Sequence, residues 1–153
     1  MGGINPTVAL PIALALLLVL VGIEDARTRE IANWKNAAIA LLAPAWWWAT
    51  GYLPWPDVAA QLALAVAVFA LFCGAFALGQ MGGGDVKLIG ALALWLPFQP
   101  LVWMLMAMSI AGGALTLVML VEGRWLRRPG RIEVPYGVAI AVAALMTLPR
   151  TAS

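Results

Sequence analysis

The chain of 153 residues has no histidine, a single cysteine, and charge on only 10% of its positions. Without imidazole there is no histidine base, no histidine metal ligand and no triad built on one. Cys73 alone supplies neither a disulfide nor a thiolate metal site, and its place inside an apolar run points to packing. An ordinary soluble domain is about 25% charged; here 64% of residues are apolar. The stretch Met1 to Thr7 carries no Lys or Arg, so the basic region that opens a secretory leader is missing and the first apolar run reads as a retained helix. Pro6 also removes the hydroxyl residue that a myristoylation start at Gly2 needs. The composition leaves carboxylates, lysine, serine, threonine and tyrosine for any chemistry.

What is present is long apolar sequence. A bilayer core about 30 Å thick asks for roughly 20 apolar residues per helix. The expected fold is therefore all-α: a polytopic membrane bundle of about six transmembrane helices, forming one domain over residues 1–153. The expected spans are Ile4 to Ile23, Trp34 to Gly51, Val58 to Leu78, Val86 to Leu96, Leu101 to Val121 and Pro135 to Leu148. Pro54-Trp55-Pro56-Asp57 and Pro97-Phe98-Gln99-Pro100 punctuate them as turns, with Asp57 expected as a helix N-cap. Arg27, Arg29 and Lys35 fall in the first loop, Lys87 in the third, and Arg124, Arg127, Arg128 and Arg131 in the fifth. The positive-inside rule makes those loops cytoplasmic and puts both termini outside the cytoplasm. Trp46, Trp47, Trp48 and Trp55 then collect at the opposite interface as an aromatic belt.

Two of the seven acids stand out. Asp25 and Asp85 sit at the edges of apolar runs, where a carboxylate costs roughly 2.5 kcal/mol or more on insertion scales and marks a functional position. Lysine and arginine alone set the orientation, yet both aspartates fall on the same cytoplasmic side. The spans that begin at Val86 and Pro135 are short for the bilayer, so their starts are expected to frame a wet recess open to the cytoplasm. Two carboxyl groups held together can split the work of hydrolysis, one drawing a proton from water and the other donating one. Such chemistry needs neither a metal nor a cofactor. Gly79, Gly82, Gly83 and Gly84 beside Asp85 permit positive φ and close approach of another backbone; the plainer reading makes Asp85 a helix cap at the end of a flexible loop.

Three segments read together carry more. Asp25 with Ile31 and Asn33, then Gly82-Gly83-Gly84-Asp85-Val86-Lys87-Leu88, then Val134-Pro135-Tyr136-Gly137, resemble in order and membrane placement the type IV prepilin peptidases, a family of G-x-G-D aspartic membrane proteases. The resemblance implies that Asp25 and Asp85 are the catalytic pair, and that Asn33, Gly82, Gly83, Gly84, Lys87, Pro135, Tyr136 and Gly137 bind substrate or shape the site. It further implies a multi-pass enzyme of the inner, cytoplasmic membrane whose active site faces the cytoplasm. Its partners would be prepilins with a short basic leader ending in Gly and the surrounding membrane lipids, with no nucleic acid. Ala32 stands where many members have proline, and the first loop, Glu24 to Asn33, lacks the cysteine-rich insertion of the larger, methylating forms. The chain is therefore similar to the short form associated with tight-adherence (Flp-type) pili.

Other classes make contrasting demands. Presenilin-type proteases share G-x-G-D, but they carry a Tyr-Asp pair and a Pro-Ala-Leu segment where this chain has Glu24-Asp25 and Val134-Pro135-Tyr136-Gly137. A small proton- or cation-coupled transporter would use its acids near the bilayer midplane. A non-catalytic membrane subunit of a pilus or secretion system would tolerate Asp85→Asn. Glu24, beside Asp25, points elsewhere on a helix, and Glu30 reads as a solvated loop charge. Arg124 to Arg131 set topology and meet anionic headgroups. Met104, Met106, Met108 and the Gly112-Gly113 pair serve helix packing.

Overall fold

Helix length and apolarity decide the architecture. The computed structural model describes Gly3, residues 5–126 and residues 134–151, and it contains six α-helices: α1 (Pro6–Thr28), α2 (Asn33–Ala49), α3 (Ala59–Ala77), α4 (Gly83–Ala93), α5 (Phe98–Leu126) and α6 (Tyr136–Thr151). No strand occurs among the described residues. Three stretches, Pro6–Thr28, Pro54–Ala77 and Phe98–Arg124, are long and apolar enough to cross a membrane. α4 is much shorter: its 11 residues rise only about 16 Å, against about 30 Å of hydrocarbon. The structure is a helical membrane bundle, as the composition predicts.

α1 packs between α2 and α6, α6 lies against α5, and α4 is held by α3, α2 and α6. The core comes from one stripe on each inner helix: Leu14, Leu18 and Val21 of α1, Ile39 and Ala43 of α2, Leu88, Ile89 and Leu92 of α4, and Ile140 and Ala144 of α6. Each is removed from solvent, and burying a Leu or Ile side chain contributes roughly 1.5–3 kcal/mol. α3 buries only Gln61 and Ala65, so its apolar surface faces outward, toward what would be lipid. Gln61 fixes α3 to the end of α4 by donating its amide to the carbonyls of Ala93 at 2.6 Å and Leu96 at 2.8 Å.

Several sequence expectations change in detail. α1 does not stop at Ile23 but runs to Thr28, where Thr28 Oγ1 donates to the Glu24 carbonyl at 3.0 Å and Arg29 turns the chain at φ 57°. Asp25 therefore lies on a helix and not in a loop, and residues 29–32 alone connect α1 to α2. Lys35 is not a loop cation: it sits buried in the first turn of α2, paired with Glu24. Asp57 does not cap α3. It lies within a π-type turn, Pro54–Val58, and accepts the Leu53 N–H at 3.0 Å.

The tryptophans divide into two sets. Trp48 and Trp55 are exposed, each at 79%, as an interfacial belt requires. Trp46 and Trp47 are buried instead. Trp47 donates its indole N–H to the Leu94 carbonyl at 2.8 Å, while Trp46 stacks on Trp95, which donates to the Ile39 carbonyl at 2.7 Å. These rings tie the end of α4 to α2, because a buried indole N–H must find an acceptor. Arg124 is exposed at the end of α5; the expected cations Arg127, Arg128 and Arg131 lie outside the described residues.

Candidate active site

At the end of the bundle that carries Asp25 and Asp85, α1 and α3 finish and α2, α4 and α6 begin. The starts of α4 and α6 both lie there, and the two helices pack against each other.

Asp25 is buried in the last turns of α1. Its Oδ2 accepts the backbone N–H of Val138 at 3.0 Å, and the Gly137 amide also faces the carboxyl group. Both amides belong to the first turn of α6, which carries the positive end of the helix dipole, and the Val138 N–H is shared between Asp25 and the Pro135 carbonyl at 3.1 Å. A carboxylate from one helix thus caps another. Gly137 makes this approach possible: a Cβ there would lie 2.6 Å from Asp25 Cγ and 2.8 Å from Oδ2. Tyr136 packs its ring against Gly112 of α5, where a Cβ would come within 2.7 Å of Cε1. The Pro135-Tyr136-Gly137 segment therefore seats α6 against α5 with Tyr136 and against Asp25 with Gly137.

Asp85 occupies the first turn of α4, half-buried, three residues after the N-cap Gly82. Its carboxylate folds back onto the Gly82 backbone amide, the reach that an acidic side chain makes in a capping box. The helix-cap reading of Asp85 is thus correct as local structure. The same carboxyl also lies close enough to Asp25 for the two charges to interact. Gly82, Gly83 and Gly84 do not use positive φ: Gly82 is extended at φ −73° and the other two are helical, leaving Gly79 at φ 70° to make the turn. Close approach to another segment matters at Gly84. A Cβ on Gly84 would stand 3.3 Å from Ile31 Cβ, and one on Gly83 would stand 3.5 Å from the Phe76 ring.

Lys87 and Asn33 come together but on another face. Lys87 Nζ donates to Asn33 Oδ1 at 2.9 Å, and both line a groove among α2, α3 and α4 that does not include either aspartate. On α4, Lys87 is two residues past Asp85, which turns it to a different side of the helix. Glu24 is likewise occupied elsewhere: its Oε2 accepts from Lys35 Nζ and from the Ala32 N–H at 3.2 Å, closing the short connection to α2.

The sequence reading passed over two residues. Val138 is apolar and contributes only its amide, so no side-chain signal could have shown it. Asn36 could have been found, because it stands one helical turn after Asn33, just before the long apolar run of α2. It is buried, and its Nδ2 donates to the Gly84 carbonyl at 3.3 Å.

No curated protein and no solved structure matches the chain. A family model does, over residues 12–117, which reach from α1 into α5 and include Asp25 and the Gly82-Gly83-Gly84-Asp85 string but end before α6. The matched model describes the type IV leader peptidase family, so this helical membrane protein, with its two aspartates gathered at one end, belongs to that family of aspartic-type peptidases.

Proposed function

We propose that Asp25 and Asp85 are the catalytic pair of an endopeptidase that removes the short basic leader from Flp-type prepilins at the cytoplasmic membrane face. The observation that carries this reading is the Asp25 cradle. A buried carboxylate is expensive in an apolar bundle, yet here two backbone amides and a glycine with no room for a side chain are arranged around it. A second carboxyl stands within electrostatic reach.

In this arrangement one aspartate draws the proton from a water as it attacks the scissile carbonyl. The other gives its proton to the carbonyl oxygen; as the tetrahedral diol collapses and the C–N bond breaks, the first aspartate passes the proton it took from water to the departing amine, and the second recovers a proton from a diol hydroxyl. The amides of α6 fix one carboxyl and the start of α4 fixes the other, so the water and the peptide bond meet two groups held on separate rigid helices. Holding reactants at attack distance is itself worth several kcal/mol of the barrier. Pro135, Tyr136 and Gly137 contribute by seating α6, while Gly84 lets α4 begin close against Ile31. A transporter reading gains nothing from these contacts, since an ion site has no use for a carboxyl locked by backbone amides.

The test is co-expression with candidate prepilins, with leader removal followed on a gel. Wild type should cleave, and Asp25→Asn and Asp85→Asn should each be inactive at equal membrane abundance. Normal cleavage by either variant overturns the assignment.

A further inference from the structure

The groove among α2, α3 and α4 has a volume of about 450 Å³, within the range of sites that take a ligand. Ala40, Val66, Phe69 and Leu94 wall it, and Asn33 and Lys87 stand at its mouth. Because Asn33 opens α2 and Lys87 lies in the first half of α4, the mouth is level with Asp85. From Asn33 to Ala40 the groove descends about 10 Å along α2, toward the opposite end of the bundle.

One polar atom on its wall has no partner. Asn36 is 4% exposed, and its Oδ1 is a buried acceptor that bonds to nothing among the described residues. The orientation of the amide is fixed, since Nδ2 donates to the Gly84 carbonyl and a flipped amide would set two oxygens against each other. An unpaired acceptor in an apolar site costs about 1–3 kcal/mol, so the natural occupant brings a donor to this depth. A lipid acyl chain carries none. A peptide does, provided that the N–H is not tied up in a helix, as in an extended segment or in the first turn of a helix.

We propose that this groove receives the apolar segment on the carboxyl side of the scissile bond, with a substrate backbone N–H donating to Asn36 Oδ1. The proposal rests on the peptidase reading above and deepens it by assigning the substrate's path. Two further observations orient the chain. Asn36 holds the Gly84 carbonyl, one residue from Asp85, so a peptide bonded to Asn36 lies beside the first turn of α4 and reaches that acid by crossing the helix start at the mouth of the groove. The Lys87 ammonium at the mouth repels a basic leader and admits an uncharged, apolar stretch. The leader is thereby left outside and the apolar segment runs down the groove, the direction of a membrane-inserted helix.

The experiment uses a membrane-inserted reporter with a Lys/Arg leader ending in Gly, followed by an apolar helix that carries a single cysteine. In a Cys73→Ala enzyme, cysteines are placed in turn at Ala40, at Val66 and at Ile12, an exposed position on α1. Asp85→Asn holds the substrate uncut. Disulfides should form from positions 40 and 66 and not from 12. In the active enzyme, Asn36→Leu and Ala40→Phe should each raise KM at least fivefold with kcat within twofold. If wild type cleaves the reporter but position 12 bonds as readily as 40 and 66, or neither groove position bonds, the groove assignment is overturned and the peptidase reading stands. If wild type does not cleave at all, both fall.

Discussion

Gly137→Ala is the smallest change that should disable the site. A Cβ at this position would lie 2.6 Å from Asp25 Cγ, and ordinary contact begins at 3.4 Å, so the carboxyl group or α6 must retreat by about 0.8 Å (3.4 minus 2.6). Two costs follow. Forcing a methyl group into a filled site costs roughly 1–3 kcal/mol, and stretching the Val138 N–H bond, now at 3.0 Å, weakens a hydrogen bond to a charged group worth roughly 1.5–3 kcal/mol. A displacement near 1 Å at reacting groups can lower a rate about 10²-fold. Gly113→Ala is the matched control, since a Cβ there meets nothing within 4 Å. Initial rates of leader removal, measured at equal enzyme abundance in membranes, should fall about 10²-fold for Gly137→Ala and stay within twofold for Gly113→Ala. A Gly137→Ala enzyme that cleaves within threefold of wild type refutes the reasoning, because the cradle would then be irrelevant to the chemistry.

Trp47→Phe should destabilise the protein by about 1 kcal/mol by leaving the partly buried Leu94 carbonyl without its 2.8 Å donor; unfolding in detergent measures this, while Trp48→Phe, at an exposed ring, should change nothing. Lys35→Met should lower membrane abundance by stranding Glu24, and the double variant Glu24→Gln/Lys35→Met should recover part of the loss, a coupling read from the four-member mutant cycle. The pH profile of cleavage should be a bell: at low pH the water-activating aspartate takes up a proton, and at high pH the donor loses its own. The two limbs belong to the pair rather than to either residue, and a rate that stays flat to high pH would exclude a carboxylic acid as proton donor.

The sequence made the bundle legible because hydrocarbon imposes a length on apolar runs, and α4 was recognisable as short for the same reason. Asp25 and Asp85 stood out because acids are expensive beside such runs. What could not be read was which partners they would find. The amide of Val138 has no signature in a sequence, and the Asp25–Gly137 contact joins residues that only tertiary packing brings together. The end of α1 was misplaced at Ile23 because the polar stretch Glu24 to Thr28 looks like a loop. In the fold Lys35 neutralises Glu24 and α6 satisfies Asp25, so the helix continues through both. Trp46 and Trp47 misled for the opposite reason. A run of three tryptophans near a predicted helix end looks interfacial, but on a helix successive residues point in different directions, and two of the three turned inward to Leu94 and Trp95.

The bond from Val138 to Asp25 spans 113 residues, and that separation has a consequence for how the protein is made. At roughly 5–20 residues per second, a ribosome delivers the start of α6 about 6–20 s after Asp25. Asp85 follows about 3–12 s after Asp25, and until α6 arrives Asp25 has no amides to hold it and the inner face of α1 has no α6 to cover it. On the catalytic reading proposed above, a product truncated after α5 should contain both acids without the amides that hold Asp25, and should fail to cleave.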